Sequence, residues 1–144
     1  EERDLVLPAF SYDEAWRLGN LLYAKAVARG LPVAIDIRLA DQQVFHAALP
    51  GRLPDNDSWI ERKGRVVRRF GASSYLVGLR EESRGTTFEE HTGLPLQEYA
   101  AHGGAFPIRV VGVGGVVGVA AVSGLRGFED HALVVEALRE LVTD

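Results

Sequence analysis

His102-Gly103-Gly104, Ser123-Gly124 and Asp130-His131 are the groups of this chain whose types could act together chemically. An imidazole beside two glycines offers a proton acceptor or a metal-seeking lone pair, and glycine lets other atoms approach the backbone. His102-Gly103-Gly104-Ala105 has the composition of the oxyanion loop of lipase-like esterases, and Ser123, His102 and Asp130 can be written as a triad. That chemistry needs a Gly-x-Ser-x-Gly elbow between a strand and a helix. Ser123 follows Val122 and precedes Gly124, and the chain has no such elbow. No serine-esterase activity is therefore expected.

Other residues add secondary candidates. Asp130 and His131 fall in the first turn of the last helix, where free amides can hold an anionic group or where His131 can simply sit on the apolar face. Asp36 and His46 stand opposite each other if their strands pair as their patterns require, either as an acid/base couple or as a satisfied cross-strand pair. Trp59, Arg62 and Lys63 make a basic, aromatic helix start; Arg62 and Lys63 are expected on a solvated face, with Trp59 partly in the core. His46, His91, His102 and His131 are scattered and form no His-x-x-x-His pair, so no dedicated metal site is expected. A single histidine as axial ligand to haem needs no local motif and survives that test.

Two hairpins must position these groups. Tyr99 to Val122 contains two apolar runs about Gly114-Gly115, the pattern of a two-residue hairpin turn. That turn faces Val113 with Val116, Phe106 with Ser123 and Ala105 with Gly124. It brings His102–Gly104 beside Ser123 and Gly124 at one end of the sheet. The face bearing Phe106, Ile108, Val110, Val117 and Val119 is expected to be buried, and the opposite face is apolar enough to call for helices on both sides. Gly112-Val-Gly114-Gly115-Val-Val-Gly118 superficially matches a dinucleotide fingerprint, but Val117 occupies the third glycine position and the motif joins strand to strand.

Val33–Leu39 and Gln43–Leu49 also alternate. A three-residue loop, 40–42, pairs Val33 with Leu49, Ile35 with Ala47, Ile37 with Phe45 and Asp36 with His46. Ser11-Tyr-Asp-Glu14 is a capping box for a helix over Tyr12–Arg29, stopped by Gly30 and Pro32. Asp57 caps a second helix ended by Gly71, and Ser73 or Ser74 caps a third through about Glu82. Residues 83–93 are weakly patterned, 96–101 can add one helical turn, and a last helix covers about Phe128–Val142. The order α-β-β-α-α-β-β-α predicts a single α+β domain, 1–144, built on an antiparallel sheet.

Composition bounds the function. The chain has 144 residues, 16 basic against 20 acidic, a formal charge of −4, and interspersed signs; no basic stripe argues for nucleic acid. There is no cysteine, which excludes thiolate catalysis, disulfides and iron–sulfur clusters. No apolar run has the length of a membrane helix and no signal peptide is visible, so a cytoplasmic protein is expected. No methionine occurs, and the native start is expected to be missing or processed.

Pro32-Val-Ala-Ile-Asp-Ile-Arg38, Phe45-His-Ala-Ala-Leu-Pro-Gly51, Pro54-Asp-Asn56, Trp59-Ile-Glu-Arg-Lys63, Arg69-Phe70 with Ser73-Ser74, Tyr99 to Ile108, and Val122-Ser-Gly-Leu125 with Asp130-His131 and Leu133–Leu138 resemble blocks of a known family. It is the GlcG/HbpS-like haem-degrading domain family, in its small stand-alone branch. The likeness runs from Ser11 to Leu138. It departs at Ala40-Asp41, where the branch commonly has glycine, and at Arg126-Gly127, where it tends to have Pro-Gln. The resemblance implies a profilin-like fold, a homo-oligomer, and haem binding in some relatives. It supplies no agreed catalytic residues. The expected function is an oligomeric domain binding a small ligand, haem or another tetrapyrrole or an anionic metabolite, in a pocket of Arg38, His102, Gly103, Gly104, Ser123, Gly124 and His131. The alternatives are an interaction or scaffold protein, and an enzyme of unassigned reaction using His102, Ser123 and His131.

Overall fold

The computed structural model describes residues 2–143. Ser11 caps α1 (Tyr12–Ala28) through the full capping box: its side chain accepts from the helix backbone and Glu14 reaches back to the Ser11 amide. After α1 come β2 (Ala34–Leu39), β3 (Gln42–Ala48), α2 (Asp55–Phe70), α3 (Ser74–Ser83), α4 (Phe88–Thr92), β4 (Ala105–Val110), β5 (Gly118–Ser123) and α5 (Gly127–Thr143), with a short β1 (Val6–Leu7) ahead of them. The expected order holds, with β1 and α4 added.

The five strands lie in the order β1-β4-β5-β2-β3. All neighbours are antiparallel except β1, which pairs parallel with β4. β2 and β3 pair as the alternation requires, Ile35 with Ala47, Asp36 with His46 and Ile37 with Phe45. The turn is shorter than expected: Leu39 pairs with Gln42, so only Ala40 and Asp41 lie outside the ladder, and a bulge between Ile37 and Arg38 absorbs the extra residue. Ala40 sits at φ 53°, a left-handed position where glycine carries no Cβ penalty.

The β4–β5 hairpin corrects the sequence expectation. Ala105 pairs with Ala121, Phe106 with Ala120 and Ile108 with Gly118, a register three residues away from that of a Gly114-Gly115 turn. The connection is a seven-residue loop, 111–117, closed by the Val117 amide donating to the Ile108 carbonyl. An odd shift moves one strand's residues to the other face. Ala120 and Val122 therefore join Phe106 and Ile108 beneath α1 and α5, while Val119 packs with Ala105, Ala121, Ile60 and Val67 under α2. Helices do cover both faces. A third cluster of Val66, Ala72, Val77, Phe88 and Ala101 joins α2 to α3 and α4.

α2 begins at Asp55 with Pro54 at its N-cap, not at Asp57, whose carboxylate instead meets His46. The segment after α4 closes a single turn, with the amides of Glu98 and Tyr99 both donating to the Pro95 carbonyl. Among the described residues no helix is long and apolar enough to cross a membrane.

Candidate functional site

The loop ahead of β4 is clamped on every side. The Ala100 amide donates to the Arg62 carbonyl, Ala105 N–H donates to Ser74 Oγ at 3.1 Å, and the Gly104 carbonyl accepts from the Val122 amide. Despite the shifted register, His102–Gly104 thus lies beside the Ser123 end of β5 and the start of α5. Its glycines serve close packing rather than ligand approach. A Cβ on Gly103 would overlap the Gly127 carbonyl, and one on Gly104, at φ 137°, would overlap the Val122 carbonyl and reach Lys63 Nζ at 2.6 Å.

That contact exposes a second correction. Lys63 is not on a solvated face but is 4% exposed, with Nζ donating to Asp130 Oδ2 at 3.2 Å and to the Val122 carbonyl at 3.3 Å. Burial lowers the Lys63 pKa, and the Asp130 carboxylate only partly opposes it. Asp130 is raised by its own burial, against the pull of Lys63 and of the Leu125 and Gly124 amides. Asp130 is thereby committed to Lys63 and supports no Ser123–His102–Asp130 relay. Ser123 is buried and its Oγ accepts from Asn56 Nδ2 at 3.3 Å. His131 is 7% exposed and packs between Tyr75, at 4.7 Å, and Phe106, at 5.7 Å between ring centroids.

His102 alone of the primary candidates faces outward with its chemistry free. Its ring stacks on Trp59 at 5.4 Å, and the Arg62 guanidinium lies 3.7 Å from the centre of the same indole. Neither ring nitrogen makes a hydrogen bond among the described residues. Partial desolvation lowers the His102 pKa; the Lys63 and Arg62 charges act in the same direction, and Glu89 opposes them. The imidazole is therefore neutral at pH 7, with a lone pair available.

His102 and Gly103 border a cleft of about 420 Å³ between the loop, α3 and α4. Tyr75, Leu79 and Phe88 give it apolar walls. Glu81 lies 5% exposed on the same cleft, and its Oε1 takes Arg84 Nη1 at 3.0 Å and His91 Nδ1 at 2.9 Å. Glu82 and Glu89 add two more carboxylates, and no lysine or arginine lines the space. The expected anionic metabolite is consequently misplaced here, because three carboxylates repel it.

Glu81, Tyr75 and Phe88 did not stand out in the sequence, although signals for them existed. Ser74, Val77 and Glu81 share one helical face, which places an acid on an apolar stripe. Thr87-Phe-Glu-Glu90 has the capping-box spacing, and Thr87 Oγ1 does accept from the Glu90 amide at 3.2 Å.

Arg38 belongs to a separate surface. Its Nε donates to Asp36 Oδ2 at 3.0 Å and its Nη2 to Glu61 at 2.7 Å, while Gln43 donates to the other Asp36 oxygen. Asp36 is opposite His46 in the ladder as expected, but the imidazole turns to Asp57 Oδ1 at 2.9 Å. The pair is satisfied by other partners and is no acid/base couple. Among the described residues no group of three or more potential ligands is arranged to hold a metal ion.

Residues 10–139 match the family described as "Haem degrading protein HbpS-like". The chain belongs to the HbpS-like family. A UPF0303 protein of Streptomyces avermitilis is 62% identical over 143 residues, covering 99% of this chain and 87% of the relative. The crystal structure of the Ybr137w protein matches with a TM-score of 0.91 and 33% identity, over 99% of this chain and 83% of that one. The crystal structure of a PduOC haem complex shares the fold, with a TM-score of 0.73 at 16% identity over 91% and 94% of the two chains. The HbpS-like family thus accounts for the α+β arrangement of a helix-covered sheet.

Proposed function

We propose that this HbpS-like chain is a homo-oligomeric domain that binds haem or a related metallotetrapyrrole in the cleft beside His102. The observation that carries it is an outward-facing, neutral imidazole with unengaged nitrogens at the lip of an apolar-walled cleft. Its size falls within the range of small-molecule pockets. The family description and the haem complex of a protein of the same fold support testing this ligand first.

The residues present fit such a group. His102 would supply a nitrogen ligand to the iron, and Tyr75, Leu79 and Phe88 an apolar surface for the macrocycle. Arg62, held over Trp59 beside His102, supplies a cation for a propionate where the cleft itself supplies carboxylates. Bound haem would contribute an iron Lewis acid to the site. Trp59 fixes the His102 ring by stacking, and Lys63 behind it disfavours the imidazolium that would compete with iron.

The test is a hemin titration followed in the Soret band. Wild type is expected to saturate near one haem per chain, and His102→Ala to lose the axial-ligand spectrum while melting at the wild-type temperature. Absence of saturable binding by wild type, or an unchanged spectrum in His102→Ala, overturns the assignment.

A further inference from the structure

The 111–117 loop is longer than any hairpin turn requires, and packing does not explain its glycines. A Cβ at Gly112, Gly114 or Gly115 would meet nothing within 4 Å. Positive φ accounts for Gly112 and Gly115 but not for Gly114. The amides of Gly114, Gly115 and Val116 make no hydrogen bond among the described residues. Gly115 and Val116 border a cavity of about 560 Å³ at the C-terminal end of α2, on the sheet face that α2 covers.

Three guanidiniums reach this cavity, from Arg68, Arg69 and Arg109, against the single carboxylate of Asp41. None has an acidic ion-pair partner among the described residues. Arg109 donates to the Gly71 carbonyl, Arg69 to the Tyr99 hydroxyl at 3.4 Å, and Arg68 has no hydrogen bond or ion pair among the described residues. The negative end of the α2 dipole attracts Arg68 and Arg69, but it calls for neither Arg109 nor an open concavity. In a chain of net charge −4, an uncompensated group of three arginines in a hollow concentrates positive potential. Guanidinium forks with free backbone amides beside them are the donor set that matches a phosphoryl group's oxygens.

We propose that this cavity binds a phosphorylated small molecule, with Arg68, Arg69 and Arg109 and the Gly115 and Val116 amides holding its phosphoryl group. The volume leaves room for an organic portion besides the phosphate. The site lies apart from the His102 cleft and shares no lining residue with it. It stands whether or not haem binds.

Isothermal titration of the full chain with pyrophosphate, glucose 6-phosphate and citrate, at low and moderate salt, tests it. The expected result is saturable binding of both phosphate compounds, weakened at least tenfold in Arg68→Ala/Arg69→Ala, with citrate binding more weakly. Both arginines are exposed, so the variant is expected to keep the wild-type melting curve and hemin titration. No saturable binding at millimolar ligand, affinity unchanged by the double substitution, or citrate bound as tightly as the phosphates each overturns the proposal. So does a change of oligomeric mass in the variant without any phosphate binding by wild type, which would make the hollow a subunit contact.

Discussion

Asp130→Asn removes the charge from one half of the buried Lys63–Asp130 pair and should unmask the cost of the other half. Asn keeps an oxygen for the Leu125 amide, which Asp130 Oδ1 accepts at 3.0 Å. It leaves Lys63, 4% exposed, with an ammonium and only the Val122 carbonyl at 3.3 Å. Breaking one side of a buried ion pair costs about 3–5 kcal/mol. For a domain of this size that corresponds to a melting temperature lower by roughly 10–20 °C. The Lys63→Met/Asp130→Asn double variant removes both charges and should return to within about 2 kcal/mol of wild type, because desolvation already offsets much of the pair's attraction.

The pH dependence separates this from mere loss of packing. Burial holds the folded Lys63 pKa below its ordinary value of 10.5, so between the two the unfolded chain holds a proton that the native state has lost. Stability therefore rises with pH across that window. Asp130 raises the Lys63 pKa, so Asp130→Asn extends the window downward. The variant should then gain on wild type as pH rises from neutral, by at most about 1.4 kcal/mol per pH unit. His102, shifted below 6.5, stays neutral throughout and does not contribute. Urea unfolding of wild type, both single variants and the double variant, from neutral to mildly alkaline pH, measures all of these terms. An Asp130→Asn deficit under about 1 kcal/mol, or one that does not change with pH, would refute the reasoning.

Two further outcomes follow from packing. Gly103→Ala drives a Cβ into the Gly127 carbonyl and is expected to cost more than about 3 kcal/mol, whereas Gly114→Ala, which meets nothing, should be neutral or slightly stabilising; chemical denaturation compares them. Tyr12, Trp16, Tyr23 and Val27 form one exposed stripe along α1, with Trp16 62% exposed, and light scattering should give a mass that is a multiple of 15.7 kDa, reduced by Trp16→Glu. A wild-type protein at 15.7 kDa across a dilution series would remove that stripe as a subunit contact.

The elements were legible where one local rule decided them. The Ser11 box, the Gly71 stop and the Ser73 cap each tie a side chain or a left-handed glycine to a helix end, and all three appear in the structure. The β2–β3 register was readable because a one-residue slip would turn Phe45 and Ala47 to the face opposite Ile35 and Ile37. The β4–β5 register was not. Both faces of that hairpin are apolar, so alternation does not penalise a slip, and Gly114-Gly115 offered a local turn that the fold did not use. What decided it was β2, which pairs with β5 from the other side and aligns Ile35 with Val122, and β1, whose Leu7 carbonyl takes the Val111 amide. Neither neighbour can be inferred from the hairpin's own residues.

The site shows the same limit in its charges. Lys63 follows Arg62 in a polar helix sequence, and nothing local distinguishes a solvated lysine from one directed at a buried carboxylate 67 residues away. Glycine is equally ambiguous in sequence: Gly103 and Gly104 look like Gly114 and Gly115, yet the first pair is filled by neighbouring backbone and the second faces open space. The distinction lies in the surrounding atoms, and it redirects the chemistry. The loop with the histidine holds one outward imidazole beside a cleft that carries three carboxylates. The positive charge and free amides that an anion needs collect at the opposite end of α2, under a loop whose glycines packing does not require.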